Sequence, residues 1–258
     1  MVVDLAGLPG PDVRGPTEIL YGRHAVLEAL RAARRRVDAI YLSRQSRRSL
    51  QPFEEHAAAL GIPRHWVSAD ELTRLSGSRQ HQGIGLRAGR YPLQALTTVA
   101  SAASLPARRQ VLVVLDNIVD PHNLGAVIRT ASAVEAAGVI IPRDRAAGPT
   151  PAVSKASAGA LEHATLIQVT NLAVTLKSLK EGGWWIFGLD RSGDRSIFET
   201  DLAGPTAVVI GSEGRGIRPL VKKQCDRLLF IPQSGPVAAL NASVAAAVYL
   251  YEVYRQRT

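Results

Sequence analysis

The amino-acid sequence predicts an α/β protein with a mainly parallel sheet in its C-terminal part and a small α/β domain before it. From residue 110 onward, short apolar segments alternate with longer helical ones. Apolar strands separated by helices are typical of a parallel sheet that is covered on both faces. Residues 17–92 show a similar but shorter alternation, and the Ala-, Ser- and Thr-rich residues 93–109 between the two regions favour a linker or a helix.

The small domain is expected to begin after a loose tail, because residues 1–16 are rich in Gly and Pro. Residues 17–30 predict a strand, a Gly turn and a helix, and the basic run 31–36 is expected to continue that helix. The other elements expected here are strands at 37–43 and 62–68 and helices at 51–61 and 69–77.

The C-terminal domain is expected to span residues 110–258. Its predicted strands are 110–116, 138–142, 166–171, 184–190, 206–211 and 227–232, and its predicted helices are 123–138, 153–164, 171–183 and 241–257.

Charge and composition favour an RNA- or DNA-binding protein. Thirty-one basic residues against 22 acidic ones give a net charge of +9, and a basic surface attracts polyanions. All 14 basic residues of the first 92 are Arg, against nine acidic ones, and we expect the run at 31–36 to contact RNA rather than form a merely solvated helix face. The single cysteine, Cys225, excludes an intrachain disulfide and fits a cytoplasmic location. No secretory signal and no apolar run long enough for a membrane span are expected.

Three polar loops follow predicted strands and carry the candidate site. They are D-N-I-V-D-P-H-N-L-G (116–125), G-S-E-G-R-G-I (211–217) and P-Q-S-G-P-V-A-A-L-N-A-S (232–243). Because ligands gather beyond the carboxyl ends of parallel strands, these loops predict a ligand site.

Familiar signatures of other enzymes are missing. The glycines from 211 to 216 run G-x-x-G-x-G, which is not the dinucleotide fingerprint, and there is no P-loop. His and Cys residues show no metal-binding spacing, and Ser212 does not lie in a hydrolase G-x-S-x-G elbow.

The segments LDNIVDPHNLGAVIRTASA, VVIGSEGRGI and IPQSGPVAALNASVAAAVYLYE resemble the three motifs of the SpoU/TrmH family. Members of this family are S-adenosylmethionine-dependent RNA ribose 2′-O-methyltransferases. The resemblance continues through residues 155–172. YGRHAVLEAL (21–30) and HQGIGL (81–86) are similar to the N-terminal RNA-binding domain of the RlmB-type branch, which methylates a guanosine of 23S ribosomal RNA.

The resemblance implies a deep trefoil knot in the C-terminal domain, an L30e-like N-terminal domain and a homodimer formed through the knot. It also implies S-adenosyl-L-methionine as the cofactor, surrounded by Gly211, Ile231 and Leu240.

The catalytic residues that the resemblance implies are Asn123, Arg129, Glu213 and Asn241. A guanidinium is a poor base, so Arg129 is expected to position phosphate and stabilise charge, rather than make a surface salt bridge. Glu213 is expected to stabilise its loop or to bind Arg129. Asn123 and Asn241 could act at the site, cap the helices that follow, or do both.

Two further positions bear on activity. His122 could serve as a general base, although it is not expected to. The family commonly has Ser where this chain has Ala239, and Ser243 could partly replace that hydroxyl.

Other functions stay open on the sequence alone. The same chemistry could act on tRNA, although the Arg-rich first domain favours ribosomal RNA. An RNA-binding or ribosome-assembly protein with weakened catalysis is a second alternative, and a nicotinamide dehydrogenase is a distant one.

Overall fold

The computed structural model describes residues 15–235 and 240–258, which form two α/β units with one sheet each. The smaller sheet has the strand order β1-β4-β2-β3, in which β4 is antiparallel to both of its neighbours. Its strands are β1 (Thr17–Tyr21), β2 (Val37–Ser43), β3 (Arg64–Val67) and β4 (Ile84–Gly89), and its helices are α1 (Arg23–Ala32), α2 (Arg47–Ala59) and α3 (Ala69–Ser76).

Two expectations for the small domain were wrong. Helix α1 stops at Ala32, because Ala33 adopts the left-handed conformation with φ 48° and its N–H bonds back to Ala29. The arginines from 34 to 36 therefore lie in the connection to β2 and not on a helix. Helix α2 begins at Arg47, four residues before the predicted start.

The larger sheet confirms the mainly parallel architecture. Its strand order is β7-β6-β5-β10-β8-β11-β9, and every pairing between its strands is parallel. The strands are β5 (Val111–Asp116), β6 (Gly138–Pro142), β7 (Leu166–Val169), β8 (Trp185–Leu189), β9 (Arg195–Ser196), β10 (Thr206–Gly211) and β11 (Arg227–Phe230), and the helices are α4 (Pro121–Ala133), α5 (Pro151–Ala156), α6 (Leu172–Glu181), α7 (Pro219–Lys222) and α8 (Ala242–Arg257).

Both faces of this sheet are buried, which explains why its strands are apolar throughout. Every residue of β5 is buried, with Val113 facing the layer of α4 and α8 and Val114 facing the layer of α6. Alternate side chains thus enter two separate cores, as expected for a doubly covered parallel sheet.

The predicted helix at 153–164 is broken in the structure. Helix α5 ends at Ala156, and a short 3₁₀ turn follows at Ala160–Glu162. Ala158 and Gly159 between them have φ 52° and 85°, which no α-helix accommodates. A Cβ on Gly159 would lie 2.7 Å from the Cβ of Glu28, so glycine allows the two domains to approach here.

The segment 93–109 is not one helix. It contains three short 3₁₀ turns and pairs once with the sheet edge, where Gln94 bridges to Ile167.

A buried ion pair joins the two units. Arg35, whose side chain is 1% exposed, donates from Nε and Nη2 to the equally buried Glu162 carboxylate at 2.6 and 2.9 Å. It also binds Glu18, and Arg34 donates to the backbone oxygen of Ala164 at 2.6 Å. Both guanidinium groups lie over the ring of Tyr91. We call this contact, made by Glu18, Arg34, Arg35, Tyr91 and Glu162, the domain seam. Arg34 and Arg35 therefore face inward, whereas Arg31 at the start of the run is exposed, and RNA contact by the run at 31–36 stays a prediction.

The connection from β8 to β10 passes around β11. Strand β11 pairs with β8 on one side and with β9 on the other, and β9 lies within that connection. Gly193 crosses so near to β11 that an added Cβ would stand 2.6 Å from the carbonyl carbon of Leu229.

No helix in the described part of the chain is both long and apolar enough to cross a membrane.

Candidate active site

The three predicted polar loops meet at the carboxyl edge of the larger sheet. The Asn123 amide donates to Glu213 Oε1 at 3.1 Å. The Asn241 amide donates to the same oxygen at 2.5 Å and to Asn123 Oδ1 at 2.9 Å. We call Asn123, Glu213 and Asn241 the polar cluster. Residues 118 positions apart in the sequence are thereby joined directly.

Asn123 is available for the cluster because another residue caps helix α4. Asp120 is the N-cap, and its carboxylate accepts from the backbone N–H of His122 at 2.9 Å. Pro121 occupies the first helical position, where its missing N–H costs nothing. The alternative that Asn123 caps this helix was therefore wrong.

Asn241 performs two tasks with its two side-chain atoms. Its Oδ1 caps helix α8 by accepting from the backbone N–H groups of Ser243 and Val244 at 2.9 and 3.3 Å. Its Nδ2 is left to bind Asn123 and Glu213. Ser243 Oγ also donates to Asn241 Oδ1 at 2.6 Å, so a hydroxyl supports the cluster. Ala239, the departure from the family pattern, lies outside the described residues.

The loop that carries Glu213 is folded tightly against β5. Gly214 and Gly216 have φ 84° and 63°, which favours glycine. A Cβ on Gly211 would stand 2.1 Å from the carbonyl carbon of Gly216, so the loop could not close over another residue. Arg218 fastens the far end of the loop, since its backbone N–H and its Nε bind the fully buried Asp116 carboxylate at 2.8 and 2.6 Å.

Beside the polar cluster lies a cavity of about 580 Å³, a volume typical of small-molecule sites. Gly211, Ile231 and Leu240, the three predicted cofactor residues, all line it, together with Glu213 and Asn241. The other lining residues are Leu189, Asp190, Arg191, Ile210, Ser212, Gly214, Arg215, Gly216, Leu229, Gln233, Ala242 and Ala245.

Arg129 lies apart from the cluster. It is exposed on helix α4, does not line the cavity and has no hydrogen-bond or ion-pair partner among the described residues. The expectation that Glu213 binds Arg129 was wrong, because Glu213 accepts from the two asparagines instead.

Sequence reasoning missed the loop after β8, which supplies Asp190 and Arg191 to the cavity. Burial acts to raise the pKa of Asp190, but hydrogen bonds from Lys222 and Ser192 outweigh it and lower the pKa. The signal was present, since D-R-S-G (190–193) follows an apolar strand and contains polar and turn residues, as the other three loops do.

Several aromatic and titratable residues lie away from the site. Trp184 is buried and donates from Nε1 to the Val99 oxygen, whereas Trp185 is 60% exposed. His81 is buried in the first domain, and burial raises the pKa of Cys225 to about 12, which keeps the thiol unreactive. The described residues contain no group of His, Cys, Asp or Glu suited to a metal ion.

Fold and site together define an α/β protein with a nucleoside-sized cavity at the carboxyl edge of a parallel sheet. Comparison with known families is more specific. The model of the SpoU rRNA methylase family matches residues 110–251, and a model described as RNA 2′-O ribose methyltransferase substrate binding matches residues 19–94.

Curated relatives agree with these matches. The chain is 40% identical to a putative TrmH family tRNA/rRNA methyltransferase of Bacillus subtilis, over 93% of this chain and 96% of that protein. It is also 40% identical to a 23S rRNA (guanosine-2′-O-)-methyltransferase of Shewanella oneidensis, over 93% and 98% respectively. A third relative at 40% identity, an uncharacterised tRNA/rRNA methyltransferase of Synechocystis, is longer, and the chain spans 63% of it.

Among solved structures, the SpoU methyltransferase AviRb of Streptomyces viridochromogenes superposes with a TM-score of 0.73 at 23% identity, covering 93% of this chain and 90% of that one. This likeness shows the fold. The family model and the curated relatives show that the chain belongs to the SpoU rRNA methylase family. It is an RNA methyltransferase whose methyl donor is S-adenosylmethionine.

Proposed function

We propose that the protein methylates the ribose 2′-hydroxyl of a guanosine in 23S ribosomal RNA. The observation that carries this proposal is the polar cluster, which joins all three family motifs at the rim of one cavity. The choice of target rests on relatives of Shewanella oneidensis and Coxiella burnetii, which are named 23S rRNA (guanosine-2′-O-)-methyltransferases and are 40% and 43% identical to this chain.

The cavity fits S-adenosylmethionine by its chemistry. Ile210, Leu229 and Ile231 offer apolar walls for a flat base, and the backbone at Gly211 offers polar groups without a side chain. Gly211, Ile231 and Leu240 are therefore the residues that would hold the cofactor. When bound, the cofactor supplies a methyl group on a positively charged sulfur, which the ribose oxygen attacks in line.

The protein's own residues have to position the ribose hydroxyl for this in-line attack on the methyl group. Holding two reactants in place lowers a barrier by roughly 7–11 kcal/mol in favourable cases. Asn123 and Asn241 have their amides fixed by Glu213, so the cluster presents a rigid polar surface to the ribose. Arg129 carries a permanent charge with no partner among the described residues, which suits it to hold the phosphate of the target nucleotide and to favour loss of the hydroxyl proton.

The N-terminal domain, residues 17–92 in our division, would bind the substrate RNA, in keeping with the family model that matches it. The connecting segment 93–109 and the catalytic domain 110–258 complete the proposed division. Because the domain seam is buried, RNA held by the first domain is presented to the cavity in a fixed orientation.

The trefoil knot implied by the family is part of the proposal. Strand β11 lies between β8 and β9, so the connection from β8 to β10 crosses from one side of β11 to the other. The chain beyond β11 then continues to helix α8, which binds this same connection where Gln256 and the backbone N–H of Leu202 meet at 2.7 Å. These crossings support a threaded C-terminal segment.

A homodimer through this domain is proposed on the surface of helix α8. Val244, Tyr251 and Tyr254 are 46%, 54% and 47% exposed and recur at helical spacing along one side of the helix. An apolar stripe of this kind is suited to a second copy. We place the protein in the cytoplasm, where its proposed substrate is made.

The test is transfer of a labelled methyl group from S-adenosylmethionine to 23S rRNA that lacks its modifications, followed by mapping of the modified nucleotide. Transfer to a guanosine ribose is expected, with unmodified tRNA as the parallel substrate. Labelling of tRNA alone would contradict the rRNA assignment. Binding of the cofactor without transfer to either RNA would favour an assembly factor with weakened catalysis.

A further inference from the structure

Two arginines stand at the cavity on two different loops. Arg191 follows β8, and Arg215 lies in the loop after β10, two residues beyond Glu213. Both are exposed, whereas the apolar walls at Ile210 and Leu229 are buried. The two guanidinium groups therefore belong to the rim of the cavity rather than to its interior. We call Arg191 and Arg215 the rim arginines.

The acids beside the rim arginines are bound to other partners. Asp190 accepts from Lys222 Nζ at 2.8 Å and from Ser192. Glu213 accepts from the two amides of the polar cluster. Neither rim arginine has a hydrogen-bond or ion-pair partner in the part of the chain that the structure describes. Two positive charges are thus left without internal compensation at the mouth of the site.

We propose that Arg191 and Arg215 bind phosphate groups of the substrate RNA on either side of the target nucleotide. The inference rests on the proposed function and names how that site holds its substrate. Arginine presents several N–H donors in a plane and pairs phosphate oxygens in two-pronged fashion. With one guanidinium on each loop, the backbone is held at two points and the ribose between them lies over the polar cluster.

The shared chemistry, an anionic oxygen group, has a second possible source in the cofactor's carboxylate. The position of both arginines at the rim favours RNA. A small ligand inside the cavity is expected to contact the cavity walls, whereas RNA approaches the rim from solvent. Removing both charges separates the two sources, since phosphate contacts contribute to the salt dependence of RNA binding.

The experiment uses Arg191→Ala, Arg215→Ala and the double variant in the full-length protein. Filter binding of unmodified 23S rRNA is measured from 50 to 300 mM KCl, with calorimetric titration of S-adenosylmethionine alongside. Arg227→Ala is the matched control. Arg227 is an exposed arginine at the start of β11, and it therefore lies at the amino-terminal end of the strands, away from the carboxyl edge that carries the cavity. This substitution removes the same formal charge as each of the two single variants.

We expect the double variant to bind RNA roughly 10–100-fold more weakly, with a salt slope smaller by about 1–2 and an unchanged affinity for the cofactor. The control should retain wild-type RNA binding within about threefold. RNA affinity and salt slope equal to those of the control would overturn the proposal. So would a weakened cofactor affinity with RNA binding intact, which would assign the arginines to the carboxylate.

Failure here is distinct from failure of the proposed function. If the wild type methylates 23S rRNA and the rim variants match the control, only the rim assignment falls. If the wild type transfers no methyl group to any RNA, the proposed function falls, whatever the rim variants bind.

Discussion

The arginines of the domain seam and those around the active site have opposite surroundings. Arg34 and Arg35 are enclosed by Glu162, Glu18, backbone oxygens and the ring of Tyr91. Arg129, Arg191 and Arg215 are exposed and have no ionic partner among the described residues. The first group occurs as a dense run in the sequence, and the second as isolated residues in three separate segments.

This difference shows that a dense run of arginines in the sequence does not by itself indicate uncompensated charge on the surface. A guanidinium that is compensated within the protein offers no free charge to a phosphate, however many arginines flank it. A single arginine on a loop above a cavity retains its charge for a ligand. We therefore expect the functional charges to be those that the fold leaves uncompensated.

The largest effect is expected on the stability of the protein, when the ion pair of the domain seam is removed. Replacing Arg35 with Met leaves the buried Glu162 carboxylate with the Ser154 hydroxyl as its hydrogen-bond donor and no paired charge, and should destabilise the protein by about 3–5 kcal/mol. Urea denaturation followed by far-UV circular dichroism measures the loss. Arg31→Ala is the control, since Arg31 makes an exposed pair with Glu28 and should cost about 0.5 kcal/mol or less. Equal losses in the two variants would refute the distinction between buried and exposed arginines.

The second prediction concerns the rate of methyl transfer when Arg129, an arginine without an internal partner among the described residues, is replaced. Arg129→Ala should lower single-turnover methyl transfer to unmodified 23S rRNA roughly 10²–10³-fold, because a permanent charge that holds the target phosphate and favours loss of the hydroxyl proton is removed. Stability should stay within about 0.5 kcal/mol, since the side chain is exposed and has no internal partner among the described residues. Cofactor affinity should also be retained. A parallel loss of cofactor binding would show that Arg129 is wrongly assigned.

The third prediction separates the two tasks of Asn241. Ser at this position can still cap helix α8, but its shorter side chain has a single O–H and cannot replace both amide bonds to Asn123 and Glu213. Asn241→Ser should therefore keep the thermal midpoint and lose transfer activity. Asn241→Ala should lose activity to a similar extent and about 1 kcal/mol of stability besides. Comparing midpoints and initial rates of the two variants tests this. Full activity of Asn241→Ser would mean that only the cap matters.

The smallest effect is a pH dependence at the edge of the seam. Burial acts to raise the pKa of Glu28, but hydrogen bonds from His163 and Arg31 outweigh it, and the pKa is lowered below its ordinary 4.5. This stabilisation is fully present above pH 4.5 and is lost as the pH falls through the lowered value. The urea midpoint of the wild type should therefore fall more steeply below pH 4.5 than that of Glu28→Gln. Superimposable curves would contradict a stabilising role for the contact.

Much of the C-terminal fold could be predicted, because strands buried on both faces must be apolar along their whole length. The convergence of Asn123, Glu213 and Asn241 followed from the same logic, since parallel strands end at one edge of a sheet. The resemblance to the family added the identities of these residues and placed Arg129 among them.

The seam could not be predicted in the same way. Arg35 and Glu162 are 127 residues apart, and no local pattern marks them as partners. Strand β9 has only two residues, too few for periodicity to detect. The break after Ala156 depends on a left-handed Ala158, which Gly159 alone did not indicate. Each of these features is set by contacts between distant segments.

The hydrogen bond between Asn123 and Asn241 also has a consequence for how the protein matures. A contact spanning 118 residues cannot form during synthesis until the chain has emerged past Asn241 and helix α8 has docked on α4. A partly made chain thus has no complete cavity and should bind no methyl donor. We therefore expect cofactor affinity to appear only after this contact has formed, and a cofactor that binds only the folded molecule then stabilises it by mass action.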